Sequence, residues 1–190
     1  IIDRAGIVGG DGETHQGLYD IAFLASVPNL TLLSPYSPDD LADMIAWMSE
    51  YHLGPVALRF PRASISRTKL EEIKPGKISD VILPECIRKG KDAVIFCEGF
   101  MTQNALKAAE KLLTENISLE VVAVRSIKPL PLKNLLSYTR NKRHIFTLEN
   151  HSVAGGLGSF IESGFSGLTG NIPFTKFGYP DRFIQHGAIH

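Results

Sequence analysis

The chain has 190 residues, 44% of them hydrophobic, and carries 20 basic and 20 acidic side chains. This composition is typical of a globular protein and excludes a disordered chain, and a net charge of zero argues against a nucleic-acid-binding protein. No stretch approaches the roughly 20 apolar residues of a membrane-spanning helix. Two cysteines, Cys86 and Cys97, are too few for a disulfide scaffold or, alone, for a zinc site. We expect ordinary thiols in a reducing compartment.

The charge is unevenly distributed. Residues 1–62 contain three basic and eight acidic side chains, whereas residues 63–190 contain 17 basic and 12 acidic ones, so net charges of −5 and +5 cancel. This asymmetry predicts two domains. It also makes the three basic side chains of the acidic part, Arg4, Arg59 and Arg62, candidates for specific roles.

The first sixty residues predict part of an α/β domain. Residues 1–6 have the pattern of a buried strand that ends in a loop, so we expect that the chain is a fragment that lacks the beginning of this domain. The next elements are a helix at 14–26, a strand at 30–33, a helix capped by Ser37 and a strand at 54–60. Their alternation predicts an open parallel sheet. The second helix should bury an apolar stripe of Leu41, Met44, Ile45 and Met48.

A second α/β unit follows residues 63–80, which show no periodicity and are interpreted as a linker. Predicted strands lie at 92–97, 119–124, 144–148 and 173–176, and predicted helices at 102–113, 130–138 and 155–168. The unit at 81–190, with about a hundred residues, is large enough for a complete domain with its own core.

The densest polar segment is a loop at residues 3–17, which contains five glycines. Such a loop lets the backbone approach a ligand, and open α/β sheets bind anions between the carboxyl end of a strand and a helix N-terminus. Asp11 and His15 lie four residues apart, so the carboxylate could orient the imidazole for proton transfer. The alternative is a structural turn in which Asp11 and Thr14 cap the helix and His15 lies on the surface.

Arg62 follows the strand at 54–60, and parallel topology places it at the same sheet edge as Arg4. Two arginines at one edge would suit a small dianion such as a phosphate ester. The alternative, which is simpler for each arginine taken alone, is pairing with the neighbouring acidic side chains.

Two further glycine motifs predict no ligand site. Gly10-Asp11-Gly12 has the first residues of a magnesium-diphosphate motif, but Asn29 comes too early to complete it, so we reject a metal here. Gly155-Gly156-Leu157-Gly158 precedes a helix without the rest of a dinucleotide fingerprint. Close packing of the helix on a strand is the expected reason for these glycines.

Taken together, the motifs resemble the 1-deoxy-D-xylulose-5-phosphate synthase family over nearly the whole chain, in the expected order. Transketolases share Asp-Gly-x-Thr-His-Gln but usually continue with proline, where this chain has Gly17, and lack the Asp-Arg-Ala-Gly lead-in. The β-type chains of 2-oxoacid dehydrogenases keep the architecture but not this loop. The matching residues are Asp3-Arg4-Ala5-Gly6, Val8-Gly9, Asp11-Gly12, Thr14-His15-Gln16-Gly17, Asp20, Val27-Pro28-Asn29, Ser34-Pro35, Gly54–Arg62, Leu148-Glu149-Asn150, Gly155-Gly156-Leu157-Gly158 and Asp181–Gly187.

The resemblance implies a thiamine-diphosphate-dependent transferase that condenses pyruvate with glyceraldehyde 3-phosphate and releases CO2, for isoprenoid, thiamine and pyridoxal synthesis. It implies a partial pyrimidine-binding-type domain at 1–62 and a complete transketolase C-terminal-type domain at 81–190. Arg4 and Arg62 match the positions that bind the aldehyde's phosphate. Asp11 and His15 match catalytic positions near the reacting carbons, with His15 favoured for proton transfer or for stabilising the developing alkoxide.

The family's motif for the cofactor's diphosphate and Mg²⁺, and the glutamate that activates the cofactor, have no counterpart in this chain. The resemblance therefore assigns no cofactor or metal ligand here, and we expect the 190-residue chain alone to be inactive. We also expect a cytoplasmic homodimer that acts on small molecules and binds neither nucleic acid nor membrane. Two alternatives stay open: a transketolase-like half chain that works with a separate partner subunit, and a non-catalytic dimerisation module.

Overall fold

A computed structural model describes residues 1–51, 53–62 and 81–185. The predicted linker at 63–80 lies outside these residues, as do His186 and Gly187 of the matching segment Asp181–Gly187. Across the described ranges, no helix combines the length and the apolar character that crossing a membrane requires.

The first part of the chain alternates strands and helices, as predicted. One turn of 3-10 helix, Glu13–His15, precedes α1, and the Asp40 N–H donates to the Ser37 hydroxyl oxygen at 3.1 Å, which confirms the predicted cap of α2. The regular elements are α1 (Asp20–Ala25), β1 (Thr31–Leu33), α2 (Pro38–Glu50) and β2 (Val56–Leu58).

Two predicted details of this part are wrong. The helix expected from residue 14 begins only at Asp20, because the Gly17 N–H bonds to the carbonyl oxygens of Arg4 and Gly6 instead of to a helical carbonyl. In α2, Ile45 is 51% exposed and does not belong to the buried stripe. Trp47 packs there instead, beside Leu41, Met44 and Met48.

The second part contains all seven predicted elements. Two further strands, β3 and β6, have only three or four residues and no periodic pattern, and β7 runs four residues beyond its predicted end. The elements are β3 (Glu85–Arg88), β4 (Ala93–Glu98), α3 (Met101–Thr114), β5 (Leu119–Val124), β6 (Ser126–Lys128), α4 (Leu132–Ser137), β7 (His144–Ser152), α5 (Leu157–Phe165) and β8 (Phe174–Tyr179).

A five-stranded sheet with the order β3-β5-β4-β7-β8 forms the centre of the second part, and only β3, at one edge, is antiparallel to its neighbour. Successive side chains of β4 point to opposite faces. Val94 and Phe96 pack in a cluster with α4 and α5, whereas Ile95 and Cys97 pack in a second cluster with α3. Helices thus cover both faces, which confirms the α/β class.

A smaller sheet joins the two parts of the chain. Its order is β2-β1-β6, with β1 and β2 parallel and β6, from the second part, antiparallel to β1. Arg125 is the single residue between β5 and β6, and its Nε donates to Asp40 Oδ1 at 2.9 Å in a fully buried ion pair. The two parts therefore share both a sheet and a buried ion pair.

Candidate functional site

The glycine-rich loop is closed at its base by backbone hydrogen bonds. The Gly17 N–H donates to the carbonyl oxygens of Arg4 at 2.9 Å and Gly6 at 3.0 Å, and the Gly6 N–H donates to the Gly17 carbonyl oxygen at 2.8 Å. A side chain at Gly17 would overlap the Arg4 carbonyl, and Gly6 has a φ of +81°, a conformation that favours glycine. The base of the loop therefore fixes the backbone around Arg4.

The structure brings Arg4, Arg62 and Asp11 together. Arg4 Nη1 lies 2.8 Å and Arg62 Nη1 2.9 Å from the same oxygen, Asp11 Oδ2. The side chains of Arg4 and Arg62 are 37% and 60% exposed. Each arginine thus pairs with an acid, as the simpler alternative predicts, but both pair with the same one. Because a guanidinium has five N–H donors, two partly exposed ones at one point can also bind an external anion.

His15 lies on the same loop, but its side chain forms no hydrogen bond or ion pair with the described Asp11 side chain. The His15 ring is exposed, and its Nδ1 forms a hydrogen bond with Thr14 Oγ1 at 2.9 Å. Asp11 and Thr14 do not cap a helix either, since neither the 3-10 turn nor α1 has a side-chain cap. The site therefore contains two arginines around one carboxylate, with an exposed imidazole four residues further along.

Arg59, the third basic residue of the acidic part, is fully buried among charged partners. Its Nε donates to Asp20 Oδ2 at 2.8 Å, and its Nη1 lies 2.6 Å from Glu98 Oε1. Nη2 also donates to the Gly17 carbonyl oxygen at 3.2 Å. Arg59 thus connects the base of the loop to the end of β4. Sequence reasoning did not assign this role; the available signal was a glutamate that ends the otherwise apolar strand β4.

Glu98 is a buried carboxyl whose charged form is favoured by its neighbours. Burial alone would raise the pKa of this carboxyl, but the charge of Arg59 and hydrogen bonds from Ser34, Arg59 and the Asn150 N–H hold the pKa below its usual value. Burial alone would also lower the pKa of Arg59, and the charges of Glu98 and Asp20 raise it. This buried group is a charged network between the two parts of the chain.

Gly156 and Gly158, at the start of α5, pack against Glu149, a buried residue of β7. Glu149 Oε1 accepts a hydrogen bond from the Gly158 N–H at 3.1 Å, and a Cβ at Gly156 would overlap Oε2. Burial, only partly offset by hydrogen bonds from the start of α5, raises the pKa of Glu149 to about 7. The structural role predicted for these glycines is confirmed.

Neither cysteine has the surroundings of a nucleophile. Cys97 is fully buried, Cys86 is half-buried, and both are free thiols. Burial raises the pKa of each thiol, whereas reactive cysteines have a lowered pKa. The expectation of ordinary thiols is consistent with this geometry.

Comparison with known families agrees with the order of the two parts. The family model of the transketolase C-terminal domain matches residues 85–190, and that of the transketolase pyrimidine binding domain matches residues 1–67. The chain belongs to the transketolase family. A pyrimidine-binding-type region followed by a C-terminal-type domain is the fold predicted from the sequence, and it is confirmed.

Individual relatives support the resemblance to 1-deoxy-D-xylulose-5-phosphate synthases within this family. The 1-deoxy-D-xylulose-5-phosphate synthase of Methylacidiphilum infernorum is 38% identical over 188 residues, which cover 99% of this chain and 29% of that protein. The synthase of a Geobacillus species is 42% identical over 194 residues, which cover 99% and 30%. The resemblance to the C-terminal part of these synthases is thus confirmed, and the chain spans only about 30% of their length.

A solved structure also matches. A split-gene transketolase, in an inactive beta4 tetramer, superposes with a TM-score of 0.79 at 30% identity, and the match covers 90% of this chain and 55% of that one.

Proposed function

We propose that this chain forms the acceptor-phosphate site and a scaffold domain of a 1-deoxy-D-xylulose-5-phosphate synthase-type enzyme. Such an enzyme is a thiamine-diphosphate-dependent transferase that condenses pyruvate with glyceraldehyde 3-phosphate and releases CO2. The observation that carries the proposal is the convergence of Arg4 and Arg62 on one oxygen of Asp11, at 2.8 and 2.9 Å. Two partly exposed guanidiniums at one point suit a phosphate dianion.

In this proposal the incoming phosphate replaces the Asp11 carboxylate between the arginines. The loop borders open space next to Asp11, because a Cβ at Gly10 would meet nothing within 4 Å. Asp11, once released, lies near the reacting carbons of the aldehyde. His15 then transfers a proton or stabilises the developing alkoxide.

The described residues do not fit the magnesium diphosphate of the cofactor. In the ranges 1–51, 53–62 and 81–185, no group of three or more His, Cys, Asp or Glu side chains could hold a metal ion. Asp11, the carboxylate of the Gly-Asp-Gly segment, is bound to two arginines. We therefore assign the ligands of the diphosphate and the metal to the part of the enzyme that the relatives have beyond the matched length.

The 190-residue chain by itself should consequently not turn over. Purified chain, incubated with thiamine diphosphate, Mg²⁺, pyruvate and glyceraldehyde 3-phosphate, is expected to yield no 1-deoxyxylulose 5-phosphate. Product above the level of a blank without protein would contradict this part of the proposal.

The phosphate site is tested in the complete enzyme by replacing each arginine. Arg4→Ala and Arg62→Ala should each raise the KM for glyceraldehyde 3-phosphate about 10- to 150-fold, because a charge-assisted hydrogen bond contributes about 1.5–3 kcal/mol. The KM for pyruvate should change far less. Arg140→Ala, which removes an exposed arginine after α4, is the matched control. Equal losses for both substrates would refute the assignment.

A transketolase-like half chain that works with a separate subunit is the second candidate, and the similarity to a split-gene transketolase favours it. The donor requirement of the complete protein separates the two: the proposed synthase requires pyruvate as donor, whereas a transketolase transfers a ketol group from a sugar phosphate. Light scattering of the purified chain tests the predicted homodimer, and a strict monomer would exclude a role of this chain in dimerisation by itself.

A further inference from the structure

Asn150, at the end of β7, connects the second part of the chain to the base of the glycine-rich loop. Its Nδ2 donates to the Ala5 carbonyl oxygen at 3.1 Å, and its Oδ1 accepts from the Tyr179 hydroxyl at 3.3 Å. Its N–H donates to Glu98 Oε2 at 3.1 Å, and its carbonyl oxygen accepts from Arg59 Nη2 at 3.3 Å. Both the backbone and the side chain of Asn150 are therefore held in place.

The loop is shaped to receive this side chain. A Cβ at Gly6 would overlap the Asn150 carboxamide, so only a glycine at this position leaves space for it. Ala5 is 2% exposed, and its N–H donates to the Phe60 carbonyl oxygen at 3.1 Å. Ala5 is thus held on one side by Phe60, which follows β2, and on the other by Asn150.

We propose that Asn150 is a positioning residue for Arg4. The inference rests on the phosphate site proposed above. Arg4 directly precedes Ala5, so by holding the Ala5 carbonyl oxygen Asn150 supports the backbone from which the Arg4 side chain extends, together with the bond from the Gly17 N–H to the Arg4 carbonyl oxygen. Arg62 should depend less on Asn150, because it is linked to Asn150 only indirectly: Pro61 separates it from Phe60, which bonds to Ile2 through its N–H, at 2.9 Å, and to Ala5 through its carbonyl oxygen. The C-terminal domain thus contributes to acceptor binding through one arginine of the pair.

A double-mutant cycle separates positioning from a general structural role. Inorganic phosphate is titrated into the 190-residue chain, and dissociation constants are measured by NMR. Asn150→Ala should weaken phosphate binding about three- to tenfold in the parent chain and in an Arg62→Ala background, and should change it less than twofold in an Arg4→Ala background. Asn150→Leu keeps about the size of the side chain, adds no charge and cannot donate to Ala5, so it should weaken binding as much as Asn150→Ala.

Asn134→Ala, at an exposed position of α4, is the control and should leave binding unchanged. Thermal unfolding identifies any variant that fails to fold, and Asn150→Leu replaces Asn150→Ala in the cycle if Asn150→Ala does not fold. Equal weakening in both arginine backgrounds, or none in the parent chain, overturns the inference while the phosphate site stands. If the parent chain binds no phosphate, or if Arg4→Ala does not weaken binding, the proposed function fails and the inference fails with it.

Discussion

Arg59 and Arg62 are only three residues apart, yet their surroundings are opposite. Arg59 is fully buried with Asp20 and Glu98, whereas Arg62 is 60% exposed and shares Asp11 with Arg4. Breaking a buried ion pair costs about 3–5 kcal/mol, because a charge remains without compensation, but an exposed pair contributes only about 0–1 kcal/mol. Similar ion-pair chemistry thus stabilises the fold at Arg59 and forms a weak, partly exposed pair at Arg62.

The largest expected effect concerns the buried arginine. Arg59→Met should lower the free energy of unfolding by about 3–5 kcal/mol, because Glu98 and Asp20 lose their cation. Chemical denaturation of the 190-residue chain measures the loss. Arg62→Ala, on the exposed side of the comparison, should cost less than about 1 kcal/mol. Equal losses of unfolding free energy in the two variants would show that the buried and the exposed ion pair contribute equally to stability.

Glu149 is a buried carboxyl like Glu98, but among the described residues no arginine forms an ion pair with it. The pH dependence of its contribution to stability should therefore differ from that of Glu98. Glu149 has a pKa raised to about 7 from an ordinary 4.5, chiefly by burial, so its protonated form is favoured in the folded state. Its stabilising contribution is therefore complete below pH 4.5 and is lost as the pH rises through 7, by up to about 3 kcal/mol.

Glu149→Gln provides the control for this pH dependence. From pH 5 to pH 8 the unfolding free energy of the parent chain should fall relative to that of Glu149→Gln. The difference between the two chains removes the contribution of His151, a nearby buried imidazole whose pKa is lowered by burial. Parallel pH profiles would show that Glu149 is ionised in the folded state throughout this range.

The sequence predicted well what depends on local pattern and poorly what depends on contacts between distant residues. The cap at Ser37 and the alternation of strands and helices follow from neighbouring residues. Short strands without a period, such as β6, depend on a partner strand far along the chain. The convergence of Arg4 and Arg62 could be expected from the parallel topology. Because residues 1–62 contain eight acidic side chains, however, the sequence did not indicate which acid would pair with the two arginines. The link from Asn150 to Ala5 spans 145 residues and leaves no local signal.

The smallest predicted effect concerns the exposed ion pair and is a change in phosphate affinity when the charge of Asp11 is removed. If the phosphate replaces Asp11 between the arginines, then Asp11→Asn removes a competing charge and should tighten phosphate binding up to about fivefold, in line with an exposed pair of about 1 kcal/mol or less. Asp39→Asn, at an exposed acid in the first turn of α2, makes the same change in net charge and should have little effect. Weaker binding by Asp11→Asn would mean that the carboxylate supports the anion site instead of competing for it.

The most direct test of the central claim observes the arginine side chains themselves. The Nε–Hε signals of the 190-residue chain can be followed by NMR during a titration with glyceraldehyde 3-phosphate. We predict saturable shifts of the Arg4 and Arg62 signals with a common dissociation constant, while the signal of the buried Arg59 stays in place. Absence of saturable shifts at Arg4 and Arg62, or shifts confined to other arginines, would contradict the assignment of the acceptor-phosphate site.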